Sequence, residues 1–145
     1  MLYRKYLIPI LLLSLISLIY FSCSKSDDKG IETSLLNRKK AYETQDAELY
    51  KNIVYSNDKN VTESFNNVIS VFDEINMEEY DRTININNGN AEVIQTTVFK
   101  LRINENRSKF TRRERIILEK IDNNWKLIKD SEVDFFDGFV YGNTK

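Results

Sequence analysis

Polar turns divide the second half of the chain into strand-forming runs, and this pattern constrains the fold more than any other sequence feature. Asn88-Gly89 is a strong signal for a two-residue hairpin, because both residues tolerate the positive φ angles that such turns require. The polar segment 104–109 and the triplet 122–124 mark two further turns. The runs between them are rich in β-branched and aromatic residues, and Tyr80, Ile84 and Ile86 share one parity in the first run. The spacing predicts four antiparallel strands.

Three helical segments are predicted before the strands. Thr33 or Ser34 can cap the first segment, Asp46 the second, and Asn60 or Thr62 the third. The third segment carries the clearest apolar stripe, at Phe65, Val68, Ile69 and Phe72. Helices followed by antiparallel strands predict an α+β domain, with the N-terminal helices packed on the sheet.

Composition limits the functions that this domain can have. A chain of 145 residues with 41% hydrophobic content suffices for one modest core. The formal net charge of -1 gives no basic surface for nucleic acid. Histidine is absent, which removes the usual proton shuttle and the commonest ligand of zinc, copper and non-haem iron. The sequence therefore predicts no nucleic-acid partner, no metal site and no cofactor.

The N-terminus has the anatomy of a signal peptide. Arg4 and Lys5 precede an apolar run over residues 6–21, which ends at Ser22 and Cys23, the only cysteine. The run is short for a membrane span, and Pro9 interrupts it. The arrangement resembles a bacterial lipoprotein signal, which implies cleavage before the cysteine and acylation of that residue. A buried cysteine at the end of a core helix is the alternative.

This resemblance implies a division of the chain and a location. Residues 1–22 would be the signal peptide, 23–30 a flexible tether and 31–145 the folded domain. Several acyl chains on Cys23 would make a lasting membrane anchor, because a single chain binds only marginally. Ser24 after the cysteine resembles signals that release lipoproteins to the outer membrane. The expected location is the cell envelope, on the periplasmic or surface face of the outer membrane.

Three segments resemble the NTF2-like superfamily, which includes the SnoaL and ketosteroid-isomerase-like proteins. They are AYETQDAELYKNIV, GNAEVIQTTVFKL and the closing hairpin ERIILEKIDNNWKLIKD. The resemblance implies a cone, in which a strongly bent sheet wraps around the helices. Trp125, after the last turn, is expected to pack its ring on the sheet beside the helices.

Polar residues on otherwise apolar strand faces are the candidate pocket residues. Gln95 and Thr97 share the parity of apolar neighbours in the second strand, and Arg112 and Glu114 do so in the third. If these faces line the cone, all four side chains point into it, and Tyr42 could line its mouth from the helices. The alternative is that Arg112 and Glu114 form a structural ion pair. No catalytic residue can be assigned, because no catalytic motif matches residue by residue.

Two functions follow as hypotheses. The first is a lipid-anchored, non-catalytic module that binds a small apolar ligand or assembles with an envelope protein, with a homodimer also open. The second is a small cone enzyme of isomerase, cyclase or dehydratase type acting on an apolar carbonyl substrate. The enzyme would need an isolated buried carboxylate with a raised pKa opposite a tyrosine donor.

Overall fold

The computed structural model describes the backbone of residues 27–55 and 61–141, and the side chains of residues 27–55 and 61–128. Its helices are α1 (27–44), α2 (Ala47–Ile53) and α3 (Val61–Ile69). Its strands are β1 (Glu74–Asn87), β2 (Asn90–Ile103), β3 (Asn106–Ile121) and β4 (Asn124–Tyr141). The predicted order of helices and then strands is confirmed. None of the helices within these ranges is long and apolar enough to cross a membrane.

Tight turns join the strands into one antiparallel sheet, in the order β1-β2-β3-β4 across the described part of the chain. Asn88 and Gly89 have φ angles of 47° and 79°, as the predicted two-residue hairpin requires. Asp122 and Asn123 also have positive φ, at 50° and 63°. The middle turn is shorter than the predicted polar segment, because β3 already begins at Asn106.

Bulges interrupt the strand pairing and bend the strands. The register of β1 against β2 shifts between Tyr80 and Thr83, and Asp81 at this point has a φ of 51°. A bulge adds a residue to one strand and so reverses its side-chain alternation. Tyr80 therefore lies on the outer face opposite Thr96, whereas Ile84 packs against the core. The shared parity of these two residues in the sequence does not give a shared face.

Among the described side chains, the buried apolar residues form two clusters, one towards each end of the sheet. The first cluster contains Ile31, Leu35, Ala91, Val93, Ile116, Leu118, Trp125 and Leu127. The second contains Ala41, Phe65, Ile69, Ile75, Met77 and Phe99. Helix α1 contributes to both, since its buried positions recur at helical spacing. Between the clusters lies a layer of buried polar side chains.

Helix α1 extends further towards the N-terminus than predicted. Residues 27–30, which the sequence assigned to the flexible tether, are helical, and the helix continues through Thr33 and Ser34 instead of starting there. Tertiary contacts hold the start of the helix: Asp27 forms an ion pair with Lys120, and Gly30 lies against the Trp125 ring. One turn further on, Ser34 Oγ donates a hydrogen bond to the Trp125 carbonyl at 2.6 Å. Residues 23–26 lie outside the described residues.

The shorter helices follow the predicted pattern in part. Asp46 caps α2, as predicted, by accepting a hydrogen bond from the Leu49 N–H at 2.8 Å. In α3, Phe65 and Ile69 are buried as predicted, but Val68 is exposed. The prediction for Val68 was wrong because this short helix buries only one narrow stripe. Of the two predicted caps of α3, Asn60 lies outside the described residues and Thr62 lies within the helix.

Gly30 provides a test of the packing of α1 on the sheet. A Cβ atom at this position would lie 2.6 Å from Trp125 Cδ1, and the Trp125 ring is itself buried. We expect Gly30→Ala to lower the free energy of unfolding by about 1 kcal/mol or more, because overpacking outweighs the gain in helix propensity. Chemical denaturation would measure the loss. In a Trp125→Leu background the same change should cost less, and an equal cost there would contradict this packing.

Candidate functional site

Strands β2 and β3 present a line of buried polar side chains to the interior. Gln95 and Thr97 are fully buried between the apolar residues Val93 and Phe99, as their parity predicted. The antiparallel register pairs Gln95 with Glu114 and Thr97 with Arg112. The register with β4 shifts between Arg113 and Glu114, so the sheet bends at this point. The four strand residues predicted from the sequence are therefore neighbours.

Glu114 is the centre of this group, and its side chain has 0% exposure. Its Oε1 accepts hydrogen bonds from Arg38 Nη2 at 2.8 Å and from Arg112 Nε at 2.6 Å. Its Oε2 accepts from Thr97 Oγ1 at 2.7 Å and from Gln95 Nε2 at 3.3 Å. Both carboxylate oxygens are thus occupied by donors from the protein itself.

Arg38 was missed by the sequence analysis, although it supplies the main counter-charge. Its side chain, from the middle of α1, is fully buried and also lies 3.7 Å from a Glu79 carboxylate oxygen. A signal was present, since Ile31, Leu35 and Arg38 recur at the i, i+4, i+7 spacing of one helix face. An arginine on such a face needs a buried partner, because an unpaired buried charge is very costly.

A second arm of the network leads from Gln95 towards the surface. Gln95 Nε2 donates to Glu79 at 3.0 Å, and Arg82 Nε donates to Gln95 Oε1 at 2.8 Å. Arg82 also bonds to Glu79 at 2.6 Å and forms an ion pair with Glu32 of α1. The bulge in β1 places Arg82 in this position, and no sequence pattern predicted that bulge. The arm links α1 to β1 through alternating charges.

The charges around Glu114 set its ionisation. Burial alone would raise the pKa of this carboxyl, but the guanidinium groups of Arg38 and Arg112 and the hydrogen bond from Thr97 outweigh that effect. The pKa of Glu114 therefore lies below its ordinary value. The side chain is an anion at neutral pH and a weak base, because its proton affinity is reduced.

Aromatic side chains border the network on the side of the second apolar cluster. The Tyr42 ring centroid lies 5.5 Å from Arg38 Cζ and meets Phe99 edge to face at 6.3 Å. Arg112 Cζ lies 4.9 Å from the Phe99 centroid, and Phe99 stacks on Phe110. Tyr42 thus meets the network through Arg38 and lies between the charged layer and an aromatic cluster. The structure brings the four strand residues together directly and places Tyr42 beside Arg38, which pairs with Glu114.

The chemistry open to this group is limited by its composition. Within residues 27–55 and 61–128, no group of three His, Cys, Asp or Glu side chains is arranged to hold a metal ion. The buried carboxylate is paired and not isolated, as the alternative interpretation of Arg112 and Glu114 anticipated. The arrangement can stabilise the fold and place charged side chains next to the aromatic rings of Tyr42 and Phe99. Cys23, the predicted lipidation site, lies outside the described residues.

Comparison with known proteins identifies the architecture. No family model and no curated protein matches the sequence. The structure is similar to the Kfla4162 protein of Kribbella flavida, with a TM-score of 0.70, 7% identity and coverage of 75% of this chain and 90% of that one. It is also similar to an NTF2-like superfamily protein of Salmonella enterica, with a TM-score of 0.69, 14% identity and coverage of 83% and 99%. The chain has the NTF2-like fold.

A third similar structure has an enzymatic activity assigned to it as a candidate. It is a candidate dehydratase of the NTF2-like family from Streptomyces avermitilis, with a TM-score of 0.64, 12% identity and coverage of 74% of this chain and 96% of that one. Identities this low show a shared fold and no shared activity. The predicted α+β NTF2-like cone, with helices packed on a bent antiparallel sheet, is confirmed.

Proposed function

We propose that the chain is a lipid-anchored cell-envelope protein whose NTF2-like domain binds a ligand or a partner without catalysis. The observation that carries the non-catalytic part is the pairing of Glu114 with Arg38 and Arg112. A general base works best when its pKa is near the operating pH. The lowered pKa of Glu114 lies further from neutral pH than that of an ordinary glutamate, so this carboxylate does not meet the requirement. Its four hydrogen bonds also leave no oxygen directed at a substrate.

The alternative function is a small cone enzyme acting on an apolar carbonyl compound. The observation in its favour is the similarity to the candidate dehydratase from Streptomyces avermitilis. Such chemistry would require a carboxylate free to take a proton, with a donor placed across the substrate. Glu114 does not meet this requirement, so the binding module is the better supported proposal.

The partly buried tyrosines beside the second apolar cluster favour an aromatic surface for binding. Tyr42 and Tyr50 both pack on Phe65, at centroid distances of 5.0 Å and 4.0 Å. Phe99 and Phe110 stack beside the partly exposed Arg112, and aromatic rings beside such a guanidinium suit a small apolar ligand with a polar end. An envelope protein as partner, and pairing of two copies, stay predictions alongside this one.

The anchor is proposed from the sequence of residues 1–23. The basic start, the short apolar run and the placement of Cys23 support cleavage before Cys23 and acylation of that residue. Acylation of one residue by several chains would hold the domain at a membrane without a spanning helix. The proposed location is the outer membrane, on its periplasmic or surface face.

Intact mass spectrometry of membrane-extracted protein tests the anchor. We expect a chain that begins at Cys23 and carries added acyl mass, and we expect Cys23→Ala to lose both the acyl mass and the cleavage, so that it retains residues 1–22. Ser24→Ala is the matched control, because it alters the adjacent residue and keeps the thiol. An unprocessed wild-type chain that retains residues 1–22 would refute the lipoprotein proposal.

A further inference from the structure

The described N-terminus of α1 lies at the end of the sheet that carries two of the strand turns. Asp27 forms an ion pair with Lys120, and the Lys120 N–H donates to the Gly89 carbonyl at 2.8 Å. Trp125, just after the turn at 122–123, packs against α1 as well. We call this region, formed by Asp27 and the turns at 88–89 and 122–123, the turn end.

The opposite end of the domain carries the remaining strand turn. There Asn104 N–H donates to Asp73 Oδ2, and the Asp73 N–H donates to the Arg102 carbonyl at 2.8 Å. Strand β2 joins the two ends through 14 residues. At about 3.3 Å per residue it spans roughly 45 Å. We call the region around Asp73 and the turn at 104–105 the far end.

We propose that the turn end faces the lipid headgroups and the far end points away from the membrane. This inference rests on the proposed function, since it takes Cys23 as the point where the chain meets the membrane. Only three residues lie between Cys23 and Asp27, so four Cα–Cα steps join them. Fully extended, they span at most about 14 Å. The turn end is therefore held close to the bilayer, whereas the far end lies several times farther along the sheet.

The net charge of the chain from Cys23 onwards does not favour contact between the side of the domain and the membrane surface. Without Arg4 and Lys5, the chain from Cys23 onwards has 19 basic and 22 acidic residues, a net charge of -3. Anionic headgroups attract basic segments, so a negatively charged chain gains nothing from them. The partly buried rings of Tyr42 and Tyr50, in the half of the core nearer the far end, would then meet partners from the aqueous side.

Energy transfer from tryptophan to lipid tests this orientation. Trp125 is the only tryptophan, and it lies at the turn end. The full-length protein is expressed in its host, extracted from the membrane and reconstituted in phosphatidylcholine vesicles with dansyl-labelled headgroups. We expect strong transfer from Trp125 and several-fold weaker transfer from an Ile103→Trp/Trp125→Phe variant, which moves the donor to the far end. An insertion of about 20 Gly and Ser residues between Ser26 and Asp27 should weaken transfer from Trp125.

The outcomes separate this inference from the proposed function. Equal or stronger transfer from the far-end donor, or no effect of the insertion, would overturn the orientation. If the Trp125→Phe background does not fold, the insertion alone decides, because it leaves Trp125 in place. The intact mass of the same sample reports acylation independently. A chain that retains residues 1–22 would refute the lipoprotein proposal, yet it would still leave the membrane just before Cys23, so the transfer comparison would still decide the orientation.

Discussion

Replacing Arg38 by methionine is expected to lower the free energy of unfolding by about 3 kcal/mol, because it leaves Glu114 buried with only part of its counter-charge. The side chains of Arg38 and Glu114 both have 0% exposure, so water cannot replace the lost guanidinium. Arg112 remains beside the carboxylate, which keeps the loss at the lower end of the range for broken buried pairs. Urea denaturation monitored by Trp125 fluorescence would measure the change.

Two further variants show whether this loss arises from the buried pair. Arg115→Met removes an arginine of β3 that pairs with Glu92 at the surface, where it is 53% exposed, and should cost less than about 1 kcal/mol. The double variant Arg38→Met/Glu114→Leu should be more stable than Arg38→Met alone, since it removes the uncompensated charge together with its partner. If the loss in the double variant equalled the sum of the losses of Arg38→Met and Glu114→Leu measured separately, the two side chains would not be coupled. That result would contradict a stabilising buried pair.

Acid is expected to destabilise the protein through the same carboxylate. The pKa of Glu114 is lower in the folded protein than in the unfolded chain, where a glutamate titrates near pH 4.3. The folded state therefore gains stability from Glu114 above that pH and loses it as the pH falls through the folded pKa. The denaturant concentration at the unfolding midpoint should decrease once the pH is lowered below about 4.3. Glu114→Gln should make that decrease smaller.

An exposed carboxylate provides the control for this acid sensitivity. The pKa of Glu78 is also lowered, first by its hydrogen bond from Lys100 and then by that from Tyr80, but the pair is open to solvent. Salt screens exposed pairs far more than buried ones. High salt should therefore abolish the difference between Glu78→Gln and the wild type while the effect of Glu114→Gln persists. If salt weakened the effects of both substitutions equally, Glu114 would be in contact with water, which would contradict its burial.

Local sequence signals predicted much of the fold. The turns at Asn88-Gly89 and Asp122-Asn123 were predicted because positive φ angles select a small set of residues. The parity of β2 and β3 placed Gln95, Thr97, Arg112 and Glu114 on one face because side chains in a strand alternate strictly. These inferences need only neighbouring residues, which is why one sequence sufficed.

The rest depended on contacts between distant segments. The bulge in β1 reversed the side-chain alternation of the strand and brought Arg82 to Gln95. No sequence pattern at residues 80–83 predicted this bulge. The extension of α1 through residues 27–30 follows from contacts with Lys120 and Trp125, about ninety residues away. Arg38 carried a usable signal, since its place on an apolar helix face implied a buried counter-charge. Propensity alone did not show where that charge would come from.

The pKa of the Glu114 carboxyl, measured by carbon-13 NMR titration, tests the central claim most directly. The claim is that Arg38 and Arg112 hold this side chain as a paired anion that serves the fold. Comparison with Glu114→Gln assigns the signal. We predict that the titration midpoint of the Glu114 carboxyl lies below that of a glutamate in the unfolded chain. A titration midpoint near neutrality would contradict it, because that is the behaviour of a general base and would favour the cone enzyme instead.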